Sequence, residues 1–591
     1  MFGYIGKIMG LIKKDGFKVV WQKFKKKLLY FRSFSIYMKK HMPSDDELAR
    51  QREMPEYNEI SFSIIVPLHN TPIEFLKEMI ESVINQTYSR WQLCLADGSD
   101  PENSDVERCC REYSKKDSRI FYKRLENNLG ISGNSNAALK FANGSYIALL
   151  DHDDLLHPSA LYECAKNIAK NQADVVYTDE MTFKGTPNHV ISIHFKPDFS
   201  PDTLLAHNYI CHFFVCSRKL QQQVGGFSEA HNGSQDYDMI LKITEIAKNI
   251  VHIPKVLYFW RSHPRSVASD VKKKPYCMKS AKKAISDHLK RTGKEATVED
   301  SFVLSTYKVN YKIIGNPKIS ILIPNKDNIS YLKKCIDSIL KKSNYSNFEI
   351  VIVENNSEKN ETKNFYHVLK NRDSRIKIVE YDGKFNYSKI NNFGFKFTSG
   401  EYLLLLNNDT EVISPNWLEE MLMFAQRDDV GAVGAKLYYE DNTVQHAGVI
   451  VGIAGHAGHS HRFFPRSSSG YLHRMSISQN LSAVTGACLM TRRTVWEQMN
   501  GLDEKFEVAF NDVDFCLRLR KASYLVIFTP YSELYHYESK SRGYENTPEK
   551  QQRFSRERNM FRERWKNFME MGDPYYNPNL SLSSEDFRIE V

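Results

Sequence analysis

The chain has 591 residues, 41% hydrophobic and 26% charged, a composition that excludes a disordered chain or a small stapled module and leaves room for two large α/β domains with extensions. Its formal net charge of +10 is not spread evenly: residues 1–40 hold 11 Lys and Arg against the single acid Asp15, and the rest carries 70 basic and 70 acidic residues. That balance over residues 41–591, with no basic aromatic repeat, argues against a nucleic-acid partner. No apolar run approaches the ~18–20 residues of a membrane span, and the leader lacks a signal-peptide core. Ten cysteines without a CxxC pair read as thiols in a reducing compartment.

In chain order, residues 1–57 form a basic leader. Phe17, Val20, Trp21, Phe24, Leu28 and Phe31 recur at helical spacing with Lys18, Lys23, Lys25, Lys26 and Lys27 between them. Such a helix suits an anionic membrane surface; the alternative is that its apolar stripe packs on the first domain. From Phe62 to Asp100, "FSIIVPLHNTPIEFLKEMIESVINQTYSRWQLCLADGSD" reads as a buried strand, an amphipathic helix and a second strand ending near Asp97. "YIALLDHDDLLHP" (Tyr146–Pro158) is a strand that stops on three aspartates and a histidine. Further on come "GSQDYDMILKI", with Asp236 and Asp238, and "FWRSHPRS", with His263.

The plan then recurs. "ISILIPNKDNISYLKKCIDSILKKSNYSNFEIVIVENNS" (Ile319–Ser357) matches the first stretch, and "YLLLLNNDTEVISP" (Tyr402–Pro415) matches the acidic one. Asn136, Gly144, Tyr146 and Asp153 return as Asn392, Gly400, Tyr402 and Asp409, each shifted by 256. "AFNDVDFCLRL" brings Asp512 and Asp514, and "LYHYESKS" brings His536, 24 residues after Asp512, where His263 follows Asp236 by 27. A domain-sized period means a duplicated domain. The predicted units are 58–300 and 317–570, with a connector at 301–316 and a polar tail at 571–591. In each unit, apolar strands alternate with helices, so we expect an α/β fold with a mostly parallel sheet. Ligands of such sheets bind beyond the carboxyl ends of the strands, where Asp97, Asp151, Asp153, Asn355 and Asp409 fall.

Clustered carboxylates at a strand end repel one another unless a cation neutralises them. Mg2+ or Mn2+ held by one or two carboxylates takes its other ligands from water and phosphate, which makes a diphosphate the natural partner. The second acidic pair offers a carboxylate to take a proton, and the histidine a nitrogen ligand. The bland alternatives are that Asp154 caps a helix, that Asp151 makes a turn and that the histidines are structural. The loop "VQHAGVIVGIAGHAGHSHRF", with His446, His456, His459 and His461, lacks regular zinc-ligand spacing and reads as a mobile loop closing over the ligand.

With "LLDHDDLLHPSALYE", "GSQDYD", "VQHAGVIVG", "AVTGACLMTRR" and "FNDVDFCLRL" in order, the chain over about 60–570 resembles tandem bacterial family 2 glycosyltransferases of surface polysaccharide, rhamnan and O-antigen synthesis. The resemblance implies two tandem glycosyltransferase A-type, Rossmann-like domains and an inverting, metal-dependent reaction. It implies that Asp97 contacts the nucleotide base, with Glu354 or Asn355 in the equivalent region of unit two. Asp151 and Asn407 would face the ribose and diphosphate, Asp153 with His263 and Asp409 with His536 would hold Mn2+ or Mg2+, and Asp236 and Asp512 would be the general bases. It also implies UDP- or dTDP-linked donors, a growing glycan acceptor that is lipid- or protein-linked, and a place in the cytoplasm on the inner face of the plasma membrane. "DHDD" against "NNDT" gives unit two less charge, so either the two donors differ or only one unit is catalytic and the other binds glycan or a partner.

Overall fold

The computed structural model describes residues 32–53, 57, 59–263, 275–538 and 547–590. Two sheets of nine and ten strands share one strand order. In unit one it runs Ile120–Arg124, Trp91–Asp97, Phe62–Leu68, Tyr146–Leu149, Phe214–Ser217, Val175–Lys184, Ile250–Arg261, Leu155–Leu156. In unit two it runs Ile376–Glu380, Phe348–Glu354, Ile319–Asn325, Tyr402–Leu406, Cys488–Arg492, Val430–Tyr438, Leu525–His536, Thr410–Val412. The first four strands of each are parallel, as expected of Ile/Val/Leu runs buried on both faces. Phe214–Ser217 and Cys488–Arg492 run antiparallel to both neighbours, so each sheet is mixed beyond its fourth strand.

The residues shared at a shift of 256 explain themselves. A Cβ on Gly144 would lie 2.7 Å from the Ser63 nitrogen, and one on Gly400 2.7 Å from the Ser320 nitrogen, so only glycine lets the chain pass the start of the central strand. Asn136 donates to the Phe227 carbonyl at 2.8 Å and accepts from its N–H at 2.7 Å; Asn392 does the same with Leu502 at 2.9 and 3.0 Å. These asparagines pin the loop that leads into Gln235–Ile246 in one unit and Asn511–Lys521 in the other, the helices that carry the candidate bases.

The units pack on each other. One cluster of buried side chains extends from Ile65 through Tyr307 and Tyr311 to Ile527. The predicted connector contains Tyr307–Tyr311, which pairs with Ala296–Asp300 in an antiparallel hairpin. Across the seam Asp202 pairs with Arg427 and accepts from Asn480 Nδ2 at 2.8 Å. The tail read as polar is instead docked: Tyr576, Leu580, Phe587 and Ile589 are buried with Phe183, Phe195 and Val256 of unit one. Asn577 donates to Asp179 Oδ2 and to the Lys196 carbonyl, both at 2.9 Å.

Of the leader, residues 1–31, including the whole of the proposed amphipathic stripe from Phe17 to Phe31, lie outside the described residues. Residues 32–41 are helical, and Phe34 and Tyr37 are buried against unit one. Among the described residues no helix is long and apolar enough to cross a membrane. All ten cysteines are free thiols.

Candidate active site

The site of unit two is a cleft of about 520 Å³ at the carboxyl ends of its strands, lined by Asn355, Asn407, Asp409, Asp512 and His536 among others. Asp409, one residue before Thr410–Val412, and His536, at the end of Leu525–His536, bring Oδ1 and Nε2 within 3.2 Å. Asn407 Nδ2 lies 3.2 Å from the same nitrogen. Asp512 sits in the first turn of its helix. Its carboxylate accepts from the Gly486 and Val513 N–H groups, each at 2.8 Å, and burial pushes its pKa above the ordinary carboxylate value against those bonds. The acidic pair by itself offers Asp512 and Asp514 alike, and the family resemblance names Asp512 as the base. The fold separates them: Asp514 is wholly buried, paired with Arg518 and Arg564 at 2.9 Å each, and anchors Pro548–Arg564.

Unit one repeats the scheme with different fittings. His263 Nε2 lies 2.7 Å from Asp153 Oδ2. Asp236, in the first turn of Gln235–Ile246, accepts from Asn208 at 3.3 Å, while Asp238 is buried and bound to Lys242 at 2.6 Å. Asp154 does not cap the following helix. Wholly buried, it accepts from the Tyr258 hydroxyl and the Arg261 N–H, both at 2.6 Å, and burial, reinforced by Asp153 and Asp151, pushes its pKa well up. Its counterpart Thr410 is buried too, so toward the cleft the two acidic stretches differ by Asp151 against Asn407 and by His152 against Asn408.

Strand register decides one equivalence that the sequence left open and corrects another. Asp97 and Glu354 each end the second strand, opposite Leu68 and Asn325, so Glu354 is the counterpart of Asp97, and Asn355 is the next residue out, on the cleft wall. Asp97 is buried and satisfied by Arg124 and the Tyr122 hydroxyl at 2.9 and 2.8 Å; Glu354 accepts from the Ser357 hydroxyl at 2.7 Å. Asn355 donates to the Gly383 carbonyl at 2.8 Å. Leu155 pairs with Phe259 and Thr410 with His536, which puts His536 in the place of Trp260. His263 comes three residues later, the difference between the spacings of 27 and 24. Two non-equivalent histidines thus reach two equivalent aspartates.

The donor set suits a hard divalent cation. Each unit places one carboxylate beside one imidazole, a pair of donors that Mg2+ or Mn2+ accepts together with phosphate oxygens and water. Among the described residues no group of three or more His, Cys, Asp or Glu is placed to hold a metal on protein ligands alone. The histidine-rich loop does not converge either: His446 is held between the Ala435 carbonyl and the Thr485 N–H, His461 accepts from the Tyr471 N–H, and His459 faces the cleft.

Comparison with known proteins agrees with the duplicated plan. The chain is 43% identical over 534 residues to an uncharacterized protein of Sinorhizobium fredii, covering 89% of this chain and 58% of that one. It is 37% identical over 534 residues to the O-antigen biosynthesis protein RfbC of Myxococcus xanthus, covering 89% of this chain and 40% of that one. The chain thus spans about half the length of these relatives. Among solved structures, S. aureus TarS 1–349 in complex with UDP-GlcNAc shares 18% identity at a TM-score of 0.33, over 39% of this chain and 66% of that one. The family model "Glycosyl transferase family 2" matches residues 63–226 and 320–499, more than half of the chain in two segments. The chain therefore belongs to glycosyl transferase family 2 and carries the family's domain twice.

Proposed function

We propose that both units are inverting, divalent-metal-dependent sugar transferases, each moving a hexosyl group from a nucleoside-diphosphate sugar to a hydroxyl of a growing surface glycan. The observation that carries this reading is the meeting of Asp512 with the Asp409–His536 pair in one cleft, together with Asp236 at the equivalent helix start of unit one and an Asp153–His263 pair in which a histidine three residues further on reaches the equivalent aspartate. The acceptor oxygen attacks the anomeric carbon on the face opposite the diphosphate, the bond from that carbon to the phosphate oxygen breaks, and the hydroxyl proton passes to the carboxylate of Asp512 or Asp236. Asp409 with His536, and Asp153 with His263, are the residues that would hold a divalent cation, and such a cation would supply positive charge to the departing diphosphate. Asn355 and Asn407 offer amide groups to the nucleotide in unit two, where unit one has the carboxylate of Asp151.

The relationship to an O-antigen biosynthesis protein supports a surface-polysaccharide acceptor. The 11 basic residues of residues 1–40 support a seat on the anionic inner face of the membrane, where lipid-linked glycans grow. The test is to incubate the full chain with Mn2+ or Mg2+ and a panel of UDP-, dTDP- and GDP-sugars and to follow nucleoside diphosphate release. Asp236→Asn and Asp512→Asn should remove different linkages. If one of them leaves the product unchanged, that unit is not a transferase; if no donor is consumed under any acceptor, the reading fails as a whole.

A further inference from the structure

Superposing the two units by strand register exposes a linked exchange of three side chains. Ala148 pairs with Val215 and Val215 with Val176; Leu404 pairs with Met490 and Met490 with Val433. Counting along each strand, Asp151, His212 and Glu180 of unit one occupy the places of Asn407, Ala487 and Leu437 of unit two. Ala487 and Leu437 are buried, and Ala487 lines the cleft of unit two.

In unit one these places form a connected polar chain. Glu180, 5% exposed, is bound to Lys196 Nζ at 3.2 Å and to His194 Nδ1 at 3.3 Å, and accepts the main-chain N–H of His212. The Lys196 ammonium also donates to the Ile210 carbonyl at 3.0 Å and to the His212 carbonyl. The His212 ring lies between two carboxylates, Nδ1 3.7 Å from Glu180 Oε2 and Nε2 3.5 Å from Asp151 Oδ2. It stacks on Tyr258 with ring centroids 4.7 Å apart and planes at 13°, and its other neighbour is Trp260 at 5.5 Å. Held by its backbone N–H and carbonyl and by the face of Tyr258, the imidazole makes no hydrogen bond at Nδ1 and presents Nε2 to Asp151.

We propose that His212 is a positioning residue for the donor in unit one: held by Glu180 and Lys196, it fixes the Asp151 carboxylate toward the ribose and diphosphate of a nucleoside-diphosphate sugar. Unit two, with Asn407, Ala487 and Leu437, dispenses with the device, which makes the two donor sites chemically unequal at the same point of the fold. This inference rests on the reading of unit one as a nucleotide-sugar site.

The test uses the full chain with Asp409→Ala, so that binding at unit two is weakened, and titrates UDP, GDP and dTDP in the presence of Mn2+. On that background His212→Ala should weaken binding of the preferred diphosphate about tenfold, the size of one charge-assisted hydrogen bond lost at a site. His212→Gln, which keeps a donor for Asp151, should restore most of it. Because His212 acts through Asp151, the His212→Ala effect should vanish when Asp151 is already asparagine, which a purely structural role would not produce. If His212→Ala does not fold, His212→Asn, too short to reach Asp151, replaces it in both comparisons and should show the same loss with Asp151 present and none with Asp151→Asn. Equal loss with and without Asp151, or no loss at all, overturns the proposal and leaves the proposed function standing. Absence of any nucleoside diphosphate binding before substitution overturns both.

Discussion

Replacing Asp512 with asparagine keeps the shape of the side chain and removes its ability to take a proton. The structural cost can be worked from its two backbone bonds, from Gly486 and Val513, at 2.8 Å each. An asparagine oxygen satisfies one of these N–H groups, and its NH2 faces the other, a loss of about 1–3 kcal/mol. Relief of the buried charge, the same burial that raises the Asp512 pKa, offsets part of that. A net change of about 1 kcal/mol is small beside the ~5–15 kcal/mol typical of a folded domain, so the variant stays folded. Loss of a general base costs about 10²–10⁴ in rate, roughly 3–5 kcal/mol of barrier. Turnover at unit two should therefore fall by far more than unfolding can explain. The assay is nucleoside diphosphate release at saturating donor in an Asp236→Asn background, with donor affinity and the melting curve measured alongside. A variant within about threefold of its parent rate would refute the assignment of Asp512 as the base.

Burial raises the Asp512 pKa above that of an ordinary aspartate, and only the ionised carboxylate accepts a proton, so the rate at unit two should fall as pH drops through that raised value; an acid limb at or below the ordinary aspartate value of about 3.9 in the pH–kcat profile contradicts this. Removing divalent cations with a chelator should stop donor consumption and Mn2+ restore it, while His536→Ala should raise the Mn2+ concentration needed at unit two roughly tenfold or more; an unchanged metal titration argues against His536 as a ligand. Asp514→Ala leaves two arginines without their buried partner and should cost about 3 kcal/mol, or roughly 6–12 °C in the melting of unit two, checked by calorimetry. Asn577→Ala at the seam should cost about 2 kcal/mol and speed proteolysis of the final residues without altering donor affinity.

What the sequence made legible follows from locality. The strands announce themselves as Ile/Val/Leu runs, and the duplicated Gly144 and Gly400 sit where the backbone itself demands glycine, so the tandem fold could be read without coordinates. The Asp153–His263 and Asp409–His536 pairs were readable because strand ends converge in this topology. What escaped depends on contacts distant in sequence. Asp154 and Asp153 are neighbours of one type, yet Tyr258, 104 residues on, makes one structural and leaves the other at the ligand side. The docked tail looked polar because its few apolar residues are spaced irregularly, and their partners, such as Phe183, lie some 400 positions earlier. His212 carries no motif of its own, and only the comparison with Ala487 by register gives it meaning.

The final segment acts as a rivet through both halves of the molecule: Asn577 reaches Asp179 in unit one, while Asp573, four residues earlier, accepts from Ser482 at 2.6 Å in unit two. Two workstations bolted to one bench do not swing toward each other. If both units extend a single glycan, as proposed, its tip has to travel between two mouths pinned by this segment, by sliding along the surface or by letting go and returning.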